Sequence, residues 1–120
     1  MSIHRIQQYK NLVFSEEAFL NGIANQNVCP DARRKILEAL ALLDAHGTDK
    51  NYLGKKIQNT KRSGFWELKV KGQSKTEWRF LFKHLSGSEY AIIHFFIKKD
   101  EKIRKRDIIT AERITAREGW

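Results

Sequence analysis

Residues 65–97 read FWELKVKGQSKTEWRFLFKHLSGSEYAIIHFFI, and this stretch decides the fold. Its first part, residues 65–71, alternates apolar with charged side chains, which is the period of a strand that has one buried and one polar face. The residues predicted to point inward are Trp66, Leu68 and Val70, and those predicted to point outward are Glu67, Lys69 and Lys71.

Two further strands are predicted after short turns. Residues 76–83 repeat the alternation, and residues 90–97 are almost wholly apolar and rich in aromatic and β-branched side chains. The second pattern predicts a central strand that is covered on both sides. In residues 76–83 the inward residues are Trp78, Phe80 and Phe82, and the outward residues are Glu77, Arg79 and Lys83.

Helices are predicted before and after these strands in the chain. Residues 14–26 have helical spacing with Ser15 as N-cap. A second helix begins at Pro30 and ends before Gly47, and residues 107–117 form a short last helix.

This order of elements predicts the α+β class. We expect a small antiparallel sheet of three to four strands, with two N-terminal helices and a short C-terminal helix packed on one face of it. A chain of 120 residues with 41% hydrophobic content can bury one core but not two. The sequence therefore predicts a single domain over residues 1–120.

Positive charge is concentrated in the second half of the chain. Residues 1–54 carry six basic and six acidic side chains, whereas residues 55–120 carry 17 basic and eight acidic ones and hold the whole formal excess of +9. A one-sided positive field of this kind attracts phosphate backbones, acidic proteins or anionic membranes. Membrane is the weakest of these, since no basic amphipathic helix with an aromatic face is evident.

Several classes of protein are disfavoured by the residues that the chain lacks. No run approaches the roughly 18 apolar residues of a membrane span, and no hydrophobic block follows Met1, so a cytoplasmic location is expected. Cys29 is the single cysteine and is interpreted as a buried, reduced thiol. No metal-ligand spacing, GxxxxGK[ST] loop or GxSxG elbow occurs, and we expect neither metal nor cofactor.

The polar faces of the predicted strands form a basic surface. Glu67, Lys69 and Lys71 share one face of their strand, and Arg79 lies on the polar face of the next. On the third strand His94, Phe96 and Lys98 share one parity and extend this surface, and the basic cluster from Lys98 to Arg106 follows at its end.

Cationic side chains by themselves can act on a substrate that supplies its own nucleophile. In RNA the 2′-hydroxyl attacks the neighbouring phosphate when one group removes its proton, a second neutralises the phosphate and a third protonates the leaving 5′ oxygen. A lysine among other cations has a lowered pKa, because like charges disfavour its protonated form, and it can then act as the base.

Each candidate also has a purely structural interpretation. Lysines and arginines on strands commonly provide solvation and protect sheet edges, and Glu67 then balances neighbouring cations. His94, inside an apolar strand, is more often a hydrogen-bonded core histidine than an acid or base. Phe96, in contrast, can stack on an unpaired base if it borders a groove.

Four motifs in this order resemble a known protein family. They are Gly64-Phe65-Trp66-Glu67-Leu68-Lys69-Val70, then Trp78-Arg79-Phe80, then His94-Phe95-Phe96-Ile97-Lys98-Lys99 with Lys102, and then Asp107-Ile108. Over residues 32–117 they are similar to the phage-derived HigB-like branch of the RelE/HigB toxin superfamily.

The resemblance implies a RelE-like sheet and a toxin of a type II toxin–antitoxin system. Such a toxin is a ribosome-dependent endoribonuclease that cuts messenger RNA without metal and so blocks translation. The implied partners are a cognate helix-turn-helix antitoxin, the ribosome and messenger RNA. Because the superfamily also contains gyrase-poisoning toxins, the alternative is a non-catalytic nucleic-acid-binding or gyrase-inhibiting protein.

The resemblance also implies residue roles. Lys69 is the expected base or phosphate ligand, Arg79 stabilises the phosphate, and Lys98 and Lys99 lie where the leaving group is protonated. The residues expected to bind RNA are Lys71, Phe96, Lys102, His94 and Glu67. The chain departs from the family pattern in having no proline after the third lysine and no tyrosine after Tyr90.

Overall fold

The structure, a computed structural model, describes residues 3–72, 76–98 and 105–120. In chain order its elements are β1 (Leu12–Phe14), α1 (Glu16–Ala18) with a π-helical continuation (Phe19–Ile23), α2 (Pro30–His46), α3 (Lys50–Leu53) with a 3-10 turn (Gly54–Lys56), β2 (Ile57–Asn59), β3 (Trp66–Lys71), β4 (Glu77–His84), β5 (Tyr90–Lys98) and α4 (Lys105–Glu118).

One five-stranded sheet organises these elements, and its strand order is β1-β5-β4-β3-β2. The strands β2 to β5 pair antiparallel, and β1 pairs parallel with β5. The α+β class is confirmed, but the sheet has five strands rather than three or four. Each of the two additional strands, β1 and β2, has three residues, which is too short for a two-fold hydrophobic pattern to be recognised.

The predicted inward residues of β3 and β4 pack beneath α2. Leu68 and Phe80 are fully buried in one cluster with Ile36 and Leu40 of that helix, and Trp78 packs against it. Burial of each large apolar side chain contributes about 1.5–3 kcal/mol, so this cluster is the main stabilising contact of the sheet. We call this side of the sheet the α2 face.

The C-terminal helix lies on the other side of the sheet, and the prediction that all helices pack on one face is wrong. Ile108 and Ile114 of α4 pack with Leu81 and Ile93 in a second cluster. The reason lies in β5, which is apolar on both faces and therefore needs a helix on each side. We call this second side the α4 face.

A bulge in β5 allows the strand to fill both clusters. Leu81 pairs with His94 and Phe82 pairs with Ile92, which leaves Ile93 as the additional residue. A bulge of this kind places two neighbouring side chains on the same side of the sheet. Ile93 and His94 consequently both reach the α4 face.

The helix caps predicted from sequence are present. The Ser15 hydroxyl accepts a hydrogen bond from the backbone N–H of Ala18 at 3.0 Å and donates one to the carbonyl of Ile93 at 2.5 Å. Gly47 caps α2 with a φ of 61°, and a Cβ there would lie 2.7 Å from the Tyr90 hydroxyl. The first helix ends at Ile23, short of the predicted residue 26, because Asn25–Val28 forms a turn.

Two further sequence interpretations concern burial. Cys29 is exposed, so the expectation of a buried thiol is wrong. It is the residue that precedes the first turn of α2, where its side chain faces outward from the core. In the part of the chain that the structure describes, none of the helices has the length and apolar character needed to cross a membrane.

Candidate functional site

Strand register brings the predicted site residues of three strands together on the α4 face. Lys69 pairs with Arg79, and Arg79 pairs with Phe96. Paired residues point to the same side of a sheet and neighbouring strands are about 4.8 Å apart, so these three side chains form one row. The flanking rows are Glu67–Leu81–His94 and Lys71–Glu77–Lys98.

We call the surface formed by these three rows the patch. Arg79 lies at its centre, between two carboxylates. Its Nη1 donates to Oε1 of Glu67, and its Nη2 forms an ion pair with Oε1 of Glu77. The side chain of Arg79 is 8% exposed and that of Glu67 is 3% exposed, whereas that of Glu77 is 25% exposed. Arg79 is thus held by one fully buried and one partly accessible partner.

The buried ion pair leaves two polar atoms without a partner. Oε2 of Glu67 and Nε of Arg79 are inaccessible to solvent and have no hydrogen-bond partner among the described residues. An unpaired buried polar atom costs about 1–3 kcal/mol. Retention of such atoms beneath a polar patch is typical of a functional site rather than of a core optimised for stability.

His94 is tied to the first turn of α4. Its Nε2 lies 2.9 Å from Oδ1 of Asp107, and the histidine side chain is 14% exposed. The ring also stacks on Phe96 with the centroids 5.3 Å apart and the planes 19° apart. The hydrogen bond to Asp107 matches the purely structural interpretation of His94 as a hydrogen-bonded core histidine. The stacking contact fixes the orientation of the neighbouring Phe96.

The charges of the patch are nearly balanced. The described cations are Lys69, Lys71 and Arg79, and the described carboxylates are Glu67, Glu77 and Asp107. Lys69 is half-buried and Lys71 is exposed, and neither has a carboxylate within ion-pair distance in the described ranges. These two lysines are therefore the accessible cations of the patch.

Part of the predicted site belongs to segments outside the described residues. Lys99 and Lys102 lie outside the described residues, as does the basic stretch up to residue 104. Lys98 is the last residue of β5, opposite Glu77, and its side chain is also outside what is described. The structure thus brings together Lys69, Arg79, Phe96, Glu67 and His94, with Lys71 at the margin.

Sequence reasoning missed two residues of the patch. Glu77 was assigned only to a polar strand face, and Asp107 only to the start of a helix. The strand parity of Glu77 carried a signal, because residues 77 and 79 share a face, but the contact between residues 94 and 107 depends on the placement of α4. Within the described ranges, no group of three or more His, Cys, Asp or Glu side chains is arranged to hold a metal ion.

A family model described as "Phage derived protein Gp49-like (DUF891)" matches residues 26–116. The chain belongs to this family. The matched segment of this Gp49-like protein includes β2 to β5 and most of α4, and hence every residue of the patch. The phage-derived part of the predicted resemblance is confirmed, and the RelE/HigB assignment stays a prediction. No curated protein and no solved structure matches the chain.

Proposed function

We propose that this Gp49-like protein is the toxin of a type II toxin–antitoxin pair and cleaves messenger RNA on the ribosome. The observation that carries the proposal is the row of Lys69, Arg79 and Phe96 on the α4 face. It offers one accessible cation, one guanidinium and one aromatic ring on a rigid sheet. The residue types are those that grip a phosphodiester and stack on an unpaired base.

The reaction needs only the substrate and side chains. Lys69 is the proposed base that takes the proton of the 2′-hydroxyl, and the oxygen attacks the adjacent phosphorus. The bond to the 5′ oxygen breaks, Lys98 or Lys99 protonates that oxygen, and the products are a 2′,3′-cyclic phosphate and a 5′-hydroxyl. Lys71 and Lys102 contact flanking phosphates, and Phe96, oriented by His94, stacks on a base.

Arg79 must exchange partners to act on the phosphate. Both ends of its guanidinium are occupied by carboxylates, and the exposed one, Glu77, is the easier to displace. A phosphate that replaces Glu77 keeps Arg79 paired throughout, while Glu67 continues to fix its position. Glu77 therefore competes with RNA, and Glu77→Gln should strengthen RNA binding.

The pairing of Arg79 with two carboxylates, which neutralises its charge, favours a second candidate function. A patch whose arginine is already paired with two carboxylates suits a protein that grips nucleic acid or gyrase through its two lysines without cleaving RNA. In either case the partners proposed are a helix-turn-helix antitoxin and a cytoplasmic target.

Induced expression in bacteria followed by primer extension on messenger RNA tests the first proposal. We expect discrete cuts inside reading frames and, for Lys69→Ala, a loss of cutting of about a hundredfold, the usual contribution of one general base. Lys10→Ala, an exposed lysine outside the patch, is the matched control and should cut normally.

A variant of the buried pair keeps the test independent of folding. Glu67→Gln combined with Arg79→Met removes both charges together and avoids an isolated buried ion. Loss of cutting in a folded double variant supports a role for Arg79. Intact messenger RNA together with damage to supercoiled DNA after induction contradicts the first proposal and supports the second.

A further inference from the structure

A separate cavity of about 520 Å³ lies at the edge of the sheet, between α2, the 3-10 turn Gly54–Lys56 and β3. Its apolar lining comes from Ala39, Leu53 and Val70. The charged residues around it are Lys35, Lys55, Lys56, Lys69, Lys71 and Glu38. We call this cavity the lysine notch.

The lysine notch is strongly cationic. Glu38 is engaged by Arg34 at 2.8 Å, and Lys35 is 3.4 Å from Asp31, so both have partners on α2 itself. The other four lysines have no carboxylate within ion-pair distance among residues 3–72, 76–98 and 105–120. The notch therefore favours an anionic occupant.

Along the notch, β3 pairs with β2 and with the residue that precedes β2. The partner strand β2 begins at Ile57 opposite Leu68, and β3 continues to Lys71. A hydrogen bond from the N–H of Thr60 to the carbonyl of Phe65 shows that odd-numbered residues of β3 direct their backbone groups toward β2. Lys69 and Lys71 thus direct theirs toward the notch, but the pairing of Ile57 with Leu68 sets the N–H of Lys69 against the carbonyl of Lys56, so of these two residues Lys71 alone extends past the ladder.

The lining favours a protein segment over RNA. Single-stranded RNA is usually held by aromatic rings or arginine planes, and the notch has neither. Its apolar floor suits an aliphatic side chain, and its lysines suit carboxylates.

We propose that the lysine notch docks an acidic segment of a partner protein. The acidic side chains pair with Lys55 and Lys56, and an apolar side chain between them occupies the floor at Val70 and Leu53. This inference does not depend on RNA cleavage by the patch.

Fluorescence anisotropy at low salt tests the proposal with the full chain and a labelled peptide that alternates glutamate and valine. Lys55→Glu combined with Lys56→Glu should weaken binding at least about tenfold, equivalent to about 1.4 kcal/mol. The matched control, Lys10→Glu with Arg113→Glu, makes the same change in net charge at exposed positions outside the notch and should leave binding nearly unchanged.

Two comparisons separate the proposed mode from its competitors. A peptide with serine in place of valine should bind much more weakly, and equal binding would contradict insertion of an apolar side chain into the floor. If labelled oligouridine binds, loses affinity in the Lys55/Lys56 variant and the peptide does not bind, the notch is an RNA track and the proposal is overturned. Messenger RNA cutting by the same variant should be unchanged, so failure here is distinguishable from failure of the nuclease proposal.

Discussion

At the scale of one residue, Arg79 shows why the patch is sensitive to substitution and yet holds a cation in place. Burial of a charged group costs several kcal/mol, and two carboxylates offset that cost for this guanidinium. Because Glu67 is almost completely buried, it depends on Arg79 as much as Arg79 depends on it. Strand alternation predicted that both share a face and allowed Glu67 to balance neighbouring cations, but it did not identify Arg79 as the partner, because the side-chain conformations are set by packing.

We predict that Arg79→Ala lowers the free energy of unfolding by about 3–5 kcal/mol, since it leaves the Glu67 carboxylate buried without a partner. Urea titration followed by circular dichroism measures this change. The double variant with Glu67→Gln and Arg79→Met should recover most of the loss. Lys71→Ala, an exposed neighbour on β3, should stay within about 0.5 kcal/mol of the parent. Equal stability of Arg79→Ala and Lys71→Ala would contradict the account.

At the scale of elements, one ion pair joins the first helix to the last. Nη1 and Nη2 of Arg117 in α4 each lie 2.7 Å from a carboxylate oxygen of Glu17 in α1. This hydrogen-bonded contact with Arg117 lowers the pKa of Glu17 below its ordinary value, and the same contact raises the pKa of Arg117. The pair links two segments that are 100 residues apart in the chain.

The sign of the resulting pH dependence follows from the lowered pKa of Glu17. Its stabilising contribution is present above the unfolded-state pKa, near 4.5, and is lost as the pH falls through the lower folded-state value. Glu17→Gln should lower the free energy of unfolding by about 0.5 kcal/mol at neutral pH, as for a partly exposed ion pair. This loss should become progressively smaller as the pH falls below about 4.5. Unfolding curves at several pH values measure the difference. Glu16→Gln, next to it and exposed, is the control and should change the free energy of unfolding at neutral pH less than Glu17→Gln does.

Secondary structure was predictable where the pattern was long enough. The alternation in β3 and β4 correctly assigned Leu68 and Phe80 to the core, and the caps at Ser15 and Gly47 are present. The strands β1 and β2 were missed, since three residues contain too little periodicity and β1 pairs with residues almost 80 positions away. The place of α4 was not predicted, although the two apolar faces of β5 both require cover.

At the scale of the whole molecule, basic residues of 55–120 contribute to two adjoining sites, the patch on the α4 face and the lysine notch. The patch on the α4 face was largely predictable, because its members lie on adjacent strands joined by short turns. The lysine notch was not, because it combines Lys35, Lys55 and Lys69 from three elements that only the folded chain brings together. The two sites share Lys69 and Lys71, which lie on the edge between the α4 face and the notch.

This division predicts which lysines contribute to binding of single-stranded RNA. Each phosphate contact contributes about 0.7 to the slope of log affinity against log salt concentration. Lys69→Gln should therefore reduce the slope by about 0.7. Lys56→Gln should leave the slope unchanged because its site takes protein, and Lys10→Gln should do the same because it lies outside both sites. Filter binding of oligouridine over a salt series measures the slopes. Equal reductions in all three variants would mean that RNA responds to the net charge of the molecule and not to the row on the α4 face.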